Sequence, residues 1–349
     1  MAQIRLLPVA AVACAAALFA SVALGAQSPQ GTKESPKENK TRPHGNGVVR
    51  QAQTSKPPQL ACGTYLAFQV LLDSQGFSVG EIDNQPGPNL SHALSAFQSS
   101  RKLPASGEAN CDSWRALGGD TGGEATVSYQ ITDDDAKGPF NEKIPAGLPD
   151  QAALPALGYR SPIEALAEKF HASPSLLQQL NPGSRFSAGT AIKVPAVTPF
   201  DVNAPKPNPD PAMADVLVTV TRDESTVRVS RPDGTLVFFA PVTTGSERDP
   251  LPLGDWHVTA VSWKPTFHYD PDLFWDAKAS DSKATLKPGP NNPVGITWID
   301  VNIEHYGIHG TPEPGRVGHT ESHGCVRLTN WDAARLAALV RPGTQVQFR

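Results

Sequence analysis

The chain has no excess of basic residues, few cysteines and, beyond its first 26 residues, no long apolar run. Its 30 Lys and Arg are outnumbered by 34 Asp and Glu, for a formal net charge of −4. Such a balance offers no electrostatic footprint for a phosphate backbone, which excludes nucleic acid as a partner. Without a second apolar run, nothing after residue 26 can cross a bilayer as a helix. Residues 27–57 contain no aromatic residue and are rich in Pro, Lys, Ser and Gln. They cannot bury enough apolar surface to offset the entropy of ordering, and read as a flexible linker.

What is present begins with a leader. Arg5 precedes about 20 apolar residues that end in small residues at Gly25 and Ala26, the layout of a secretory signal peptide over residues 1–26. Cleavage near Ala26 implies an exported protein of the periplasm or cell envelope; an uncleaved leader would tether it to the membrane. Cys14 stands in a poor context for lipid attachment. Export makes the remaining cysteines, Cys62, Cys111 and Cys325, informative, because an oxidising compartment favours pairing. Cys62 and Cys111 bracket one compact segment, and a disulfide closing that loop of about 50 residues would stabilise it by about 4 kcal/mol if it acts on chain entropy. Cys325 is then the free thiol.

Residues 58–119 carry helical stripes, first Tyr65, Phe68 and Leu72, then Leu90, Ala93, Leu94 and Phe97. The order of helix, Gly turn, Asp-bearing loop and second helix ending in Phe97-Gln98 resembles the small all-α peptidoglycan-binding domain, with Asp83-Asn84 where that family has Asp-Gly. Residues 126–198 start as a strand, pass a Pro/Gly-rich insertion, and then give two helices. Ile163, Leu166, Ala167 and Phe170 stripe the first; Ser173 caps the second with Pro174 at its first position. This βααβ pattern resembles a LysM module with an insertion, which implies binding to glycan strands. Residues 199–215 are Pro-rich and read as a semi-rigid linker that would let the flanking units fold apart.

From 216 to 349 the pattern is mostly β. "VLVTVT", "TVRVSR" and "TLVFFAPV" alternate around a turn at Asp233-Gly234, "GDWHVTAVSW", "VGITWIDVNIE" and "TQVQF" add strands, and one late helix starts at the Thr329/Asp332 pair and stops at Pro342-Gly343. A barrel-like or sandwich-like sheet is expected. Residues 264–293, with Phe267, Tyr269, Phe274 and Trp275, form either a lid or a second hairpin.

The chemistry concentrates in "GIHGTPEPGRVGHTESHGCVRLTN", residues 307–330. A metal site would need several of His305, His309, His319, His323 and Cys325 to converge, but Pro312, Pro314, Gly315, Gly318 and Gly324 read as a loop, and no metal or cofactor is expected. An inert buried cysteine is one alternative. A reactive one is favoured, since a thiol flanked by imidazoles has a base at hand, and the N–H groups of His323, Gly324 and Cys325 can meet an oxyanion.

The stretch "IHGTPEPGRVGHTESHGCVRLTNWD", with "PVTTGSERDPLPLGDWHV" and "GPNNPVGITWIDV", resembles the L,D-transpeptidase (YkuD-type) catalytic domain. The resemblance implies that Cys325 is the nucleophile, His309 its base and the Gly310 carbonyl the group that orients the imidazole. It gives His323 and Gly324 a geometric part in the catalytic loop, Ser322 a loop hydrogen bond or substrate contact, and Arg327 a substrate carboxylate. The implied partners are peptidoglycan stem peptides and glycan strands, and the implied reaction is 3-3 cross-linking through a thioester. Two alternatives are an L,D-carboxypeptidase, in which water resolves the thioester, and a non-catalytic cell-wall-binding protein. Nothing in the sequence bears on oligomeric state.

Overall fold

The computed structural model describes residues 58–349; the leader and linker read over residues 1–57 lie outside the described residues. The chain first forms α1 (Tyr65–Ser74), α2 (Pro88–Ser100) and α3 (Cys111–Ala116). Thr64 caps α1 by accepting the Ala67 N–H, Pro88 opens α2, and Asn110 caps α3 by accepting the Ser113 N–H. Phe68, Leu72, Ala93 and Phe97 from the expected stripes are fully buried. Cys62 and Cys111 are bonded, with Cα atoms 5.3 Å apart, tying the entry of α1 to the start of α3. Asn84 stands at φ +61°, a left-handed conformation that asparagine tolerates, and its side chain accepts the Leu66 N–H at 3.0 Å.

The next segment runs β1 (Thr126–Gln130), α4 (Asp133–Ala136), α5 (Leu148–Gln151), α6 (Pro162–Lys169), α7 (Pro174–Leu180) and β2 (Ala191–Pro195), with β1 and β2 antiparallel. Ser161 and Ser173 cap α6 and α7, each followed by proline at the first helical position. This segment and the three helices before it share one hydrophobic core, which Phe239 of the following domain also enters.

The third part contains β3 (Leu217–Thr221), β4 (Thr226–Ser230), β5 (Leu236–Pro241), β6 (Gly254–Trp263), β7 (Phe267–Tyr269), β8 (Ala284–Leu286), β9 (Thr297–Val301), β10 (Gly307–His309), β11 (Val326–Arg327), α8 (Asn330–Leu339) and β12 (Gln345–Phe348). Eight strands form one sheet in the order β11-β10-β9-β6-β12-β3-β4-β5. The sheet curls until its ends meet: Thr243, just past β5, and Arg327 of β11 exchange backbone hydrogen bonds of 2.9 and 2.8 Å. Val218, Val227, Val229, Ile299 and Val326 point inward, against Leu336 and Ala337 of α8. The single late helix is as expected. The stretch 312–324, read as a loop, is one apart from a single 3-10 turn at Pro314–Arg316; β10 and β11 flank it, too short to show alternation, and exist because β9 and each other supply partners.

The expectation that the Pro-rich linker lets the units fold apart is corrected. Ala204 accepts from the Trp263 indole at 3.0 Å, Lys206 reaches the Val261 carbonyl, and Asp210 donates its N–H to Ala338. Beneath it, Arg335 of α8 grips Asp73 of α1 through two bonds of 2.8 and 2.9 Å, and His171 meets the same carboxylate at 3.1 Å. Burial opposes ionisation of Asp73, but the neighbouring His171 and Arg335 outweigh it and hold its carboxyl well below the usual range. Ser78 donates to Asp332 at 2.7 Å, and Asn330 donates to Glu168 of α6 at 3.0 Å. Buried polar groups of this kind are costly once unpartnered.

The insertion between β1 and α6 also has a place. Leu157 packs with Tyr269 and Leu286 in a small separate core, so the insertion braces the β7–β8 hairpin. Its N–H donates to Pro288, and its carbonyl accepts from Asn291.

Two outcomes follow from this packing. A fragment from Ala212 to Arg349 strands Asn330, Asp332 and Arg335 without their partners, and breaking a buried pair costs about 3–5 kcal/mol. Its thermal midpoint should lie well below that of residues 58–349, and equal midpoints would contradict the shared packing. The second outcome concerns pH. Burial pushes the Glu168 carboxyl up to about 8 and that of Asp332 to about 6, above their ordinary values near 4. The folded chain therefore holds protons that the unfolded chain releases, and stability falls as pH rises from about 5 to 8. Glu168→Gln should flatten that slope in thermal melts across the range; an unchanged slope refutes it.

Candidate active site

β10 lies between β9, antiparallel, and β11, parallel, with Ile308 opposite Val326 and His309 opposite Arg327. This register sets Cys325 opposite Gly307. Because side chains alternate along a strand, Cys325 and His309 share one face on adjacent strands, a diagonal of about 7 Å between their Cβ atoms.

His309 is buried and stacked on Trp298, with ring centroids 5.2 Å apart. Its Nδ1 lies 2.6 Å from the Gly310 carbonyl. A carbonyl only accepts, so Nδ1 carries the proton and Nε2 presents a lone pair. Burial and the Arg327 charge push the imidazole down to about 3, against the opposing effect of the Gly310 bond. The ring is a neutral base near pH 7.

The Cys325 thiol is half-buried and donates to the His305 carbonyl at 3.6 Å. Burial pushes the thiol up, while a Gly307 backbone N–H and the Arg327 charge favour the thiolate. Both partners are thus neutral at rest. Such a pair moves its proton as the sulfur attacks, instead of storing a thiolate–imidazolium pair.

Gly324 stands at φ +102°, and a Cβ there would come within 2.5 Å of the Tyr306 ring, so only glycine fits. Among the described residues, the N–H groups of Gly324 and Cys325 have no acceptor, leaving them for a developing oxyanion. Ser322 is buried and donates to the Cys325 carbonyl at 2.6 Å. It holds the loop, and the substrate contact expected for it is not available in this arrangement.

Arg327 is half-buried with its Nε unpartnered, in a cleft of about 60 Å³ shared with Thr243, Thr311, Glu313, Arg316, Thr320 and Glu321. Arg316 is paired with Glu313 at 3.6 Å, whereas the Arg327 Nε keeps a donor for an acidic group. His323 turns from the thiol toward the β7–β8 hairpin, where its Nε2 meets Asp276 at 2.9 Å and its ring packs on Phe274 and Trp275. The segment 264–293 is therefore a hairpin whose tip closes on the catalytic loop. Arg248 lies over the Trp275 ring at 4.5 Å and joins a second loop to that tip. His319 pairs with Asn89 of α2 at 3.4 Å, and His305 with Glu304 at 3.4 Å. The histidines of the motif thus disperse in different directions.

With this geometry in place, the likeness to known proteins is specific. Residues 215–348 match the YkuD family model, the L,D-transpeptidase catalytic domain. Those residues form a YkuD-type L,D-transpeptidase catalytic domain. Residues 65–117 match a second family, described as "Putative peptidoglycan binding domain". The chain is 28% identical over 189 residues to "Putative L,D-transpeptidase YkuD" of Bacillus licheniformis, covering 53% of this chain and 92% of that one. It is 27% identical over 202 residues to "Probable L,D-transpeptidase YbiS" of Escherichia coli, covering 55% of this chain and 61% of that one. Among solved structures, an L,D-transpeptidase from Stackebrandtia nassauensis aligns over 84% of this chain and 97% of its own, at 16% identity and a TM-score of 0.31.

Reading the sequence missed Trp298, Asp276 and Asn330 as parts of the YkuD-domain site. Trp298 had a signal, since its strand alternates and it faces the same way as the His309 register. Asp276 had none, because its partner His323 lies 47 residues away in the chain.

The neutral pair predicts slow alkylation of Cys325 by iodoacetamide at pH 5–7 and a rate that climbs only above the ordinary thiol range. Arg327→Ala should raise the thiol pKa further. Rapid alkylation at pH 5 would mean a resting thiolate and would overturn this reading.

Proposed function

We propose that this protein is a peptidoglycan L,D-transpeptidase that forms 3-3 cross-links through a thioester on Cys325. The observation that carries the reading is the His309 tautomer: Nδ1 is committed to the Gly310 carbonyl, so Nε2 is free on the face that Cys325 shares. Nε2 takes the thiol proton as sulfur attacks the carbonyl on the L-centre side of the third stem residue. The Gly324 and Cys325 N–H groups meet the oxyanion. Collapse breaks the amide bond, and the imidazolium returns its proton to the departing D-alanine amine. An amine of a second stem then attacks the thioester, its proton passes through Nε2 to the sulfur, and the free thiol is restored. Arg327 receives a donor-stem carboxylate.

The N-terminal units hold the enzyme on its polymer and raise the effective concentration of stems at the site. The three-helix unit carries the peptidoglycan-binding likeness. The βααβ segment has the strand pairing and cap positions of a LysM module, which favours glycan strands as its ligand. The protein works in the cell envelope, on the periplasmic side where stems are exposed, and needs no metal or cofactor for these steps.

Purified tetrapeptide muropeptides, incubated with the enzyme and resolved by mass spectrometry, test the reading. Cross-linked dimers with loss of D-alanine are expected, and none with Cys325→Ala. Trimmed tripeptide alone would assign water as the acceptor and make the protein an L,D-carboxypeptidase. No change with the intact enzyme would leave only wall binding.

A further inference from the structure

Asn330, the first residue of α8, is fully buried and its carboxamide has one possible orientation. Its Oδ1 accepts the Ile296 N–H at 3.2 Å, while Nδ2 donates to Glu168 Oε2 at 3.0 Å and to the Pro290 carbonyl at 3.1 Å. Turning the amide over would set donor against donor and acceptor against acceptor. The same oxygen sits in a cradle of two glycines: a Cβ at Gly295 would fall 2.1 Å from it and one at Gly310 2.3 Å. Gly310 is held from the other side by its own N–H, which donates to Thr297 at 3.2 Å. Its carbonyl is the group that fixes the His309 tautomer. Glu168 is fixed in turn by the Tyr159 hydroxyl at 2.8 Å.

We propose that Asn330 is a positioning residue for the His309 base, and that Glu168 of α6 in the preceding module sets it, so the βααβ segment supplies part of the catalytic geometry. The chain of contacts runs Tyr159, Glu168, Asn330, Gly310, His309, and each link is a hydrogen bond or a direct backbone contact. Neither Asn330 nor Glu168 needs to touch substrate. This inference rests on His309 being the base.

The test uses acylation of Cys325 in the full chain by a carbapenem, followed by intact-protein mass, which gives a limiting rate and a half-saturating concentration. A misplacement on the order of 1 Å can cost about 100-fold in rate. Asn330→Ala should therefore lower the limiting rate by about 100-fold while the half-saturating concentration stays within about threefold. Glu168→Leu, which keeps volume but removes the acceptor, should lower the rate at least about tenfold. Glu168→Gln can still accept from Asn330 and should recover to within about threefold of wild type. Thermal melts ensure that only the folded fraction is counted. If Glu168→Leu and Glu168→Gln acylate alike, or if the loss in Asn330→Ala lies in half-saturation and not in rate, the positioning role is wrong. His309→Gln separates the two readings. If it acylates as fast as wild type, the base assignment itself fails; if it is inactive while Asn330→Ala acylates at the wild-type rate, only the present inference fails.

Discussion

The start of α8 is the constraint on which the rest depends. Within six residues, Asn330, Asp332 and Arg335 each send a buried polar group out of the catalytic sheet and into a different part of the preceding chain, to Glu168, Ser78 and Asp73. Buried groups of this polarity are tolerated only when partnered. The catalytic domain's late helix thus carries polar side chains that are completed by segments more than 150 residues earlier. The preceding segments and the catalytic domain share one interior.

That sharing changes what the N-terminal segments do. The insertion that interrupts the βααβ unit packs under the β7–β8 hairpin through Leu157. The hairpin in turn presents Asp276, Phe274 and Trp275 to His323. Asn89 at the first turn of α2 donates to the Val317 carbonyl at 2.9 Å, holding the loop between His309 and Cys325. The glycine at 318, at φ +81°, lies against the same asparagine. The shape of the loop around the thiol is therefore braced by segments that precede the catalytic domain.

At the site, burial does opposite things to two groups and leaves both uncharged. It raises the thiol and lowers the imidazole, because in each case the charged form loses hydration. Arg327 favours the thiolate and disfavours the imidazolium, so its two effects on moving the proton from sulfur to nitrogen oppose each other. Since the charged pair is not stored at rest, catalysis depends on geometry at the moment of attack, and so on whatever holds His309 still.

Local structure and reactive chemistry are encoded among near neighbours in the chain. The helical stripes around Phe68 and Phe97, the caps at Ser173 and Thr329, the strand alternation of 217–221 and the isolated thiol of Cys325 are all written in neighbouring residues, because caps and periodicity act over one or two turns. The motif from His309 to Cys325 was legible for the same reason, as a fixed spacing of reactive types. Long-range packing alone turns His323 toward a hairpin, lays the Pro-rich stretch against β6 and α8, and seats Asn330 in a cradle between Gly295 and Gly310. These depend on partners far away in the chain, and a buried hydrogen bond between distant residues leaves no periodic trace in either segment. A lone Asn or Glu reads as surface until the fold removes its water and supplies fixed hydrogen-bond partners.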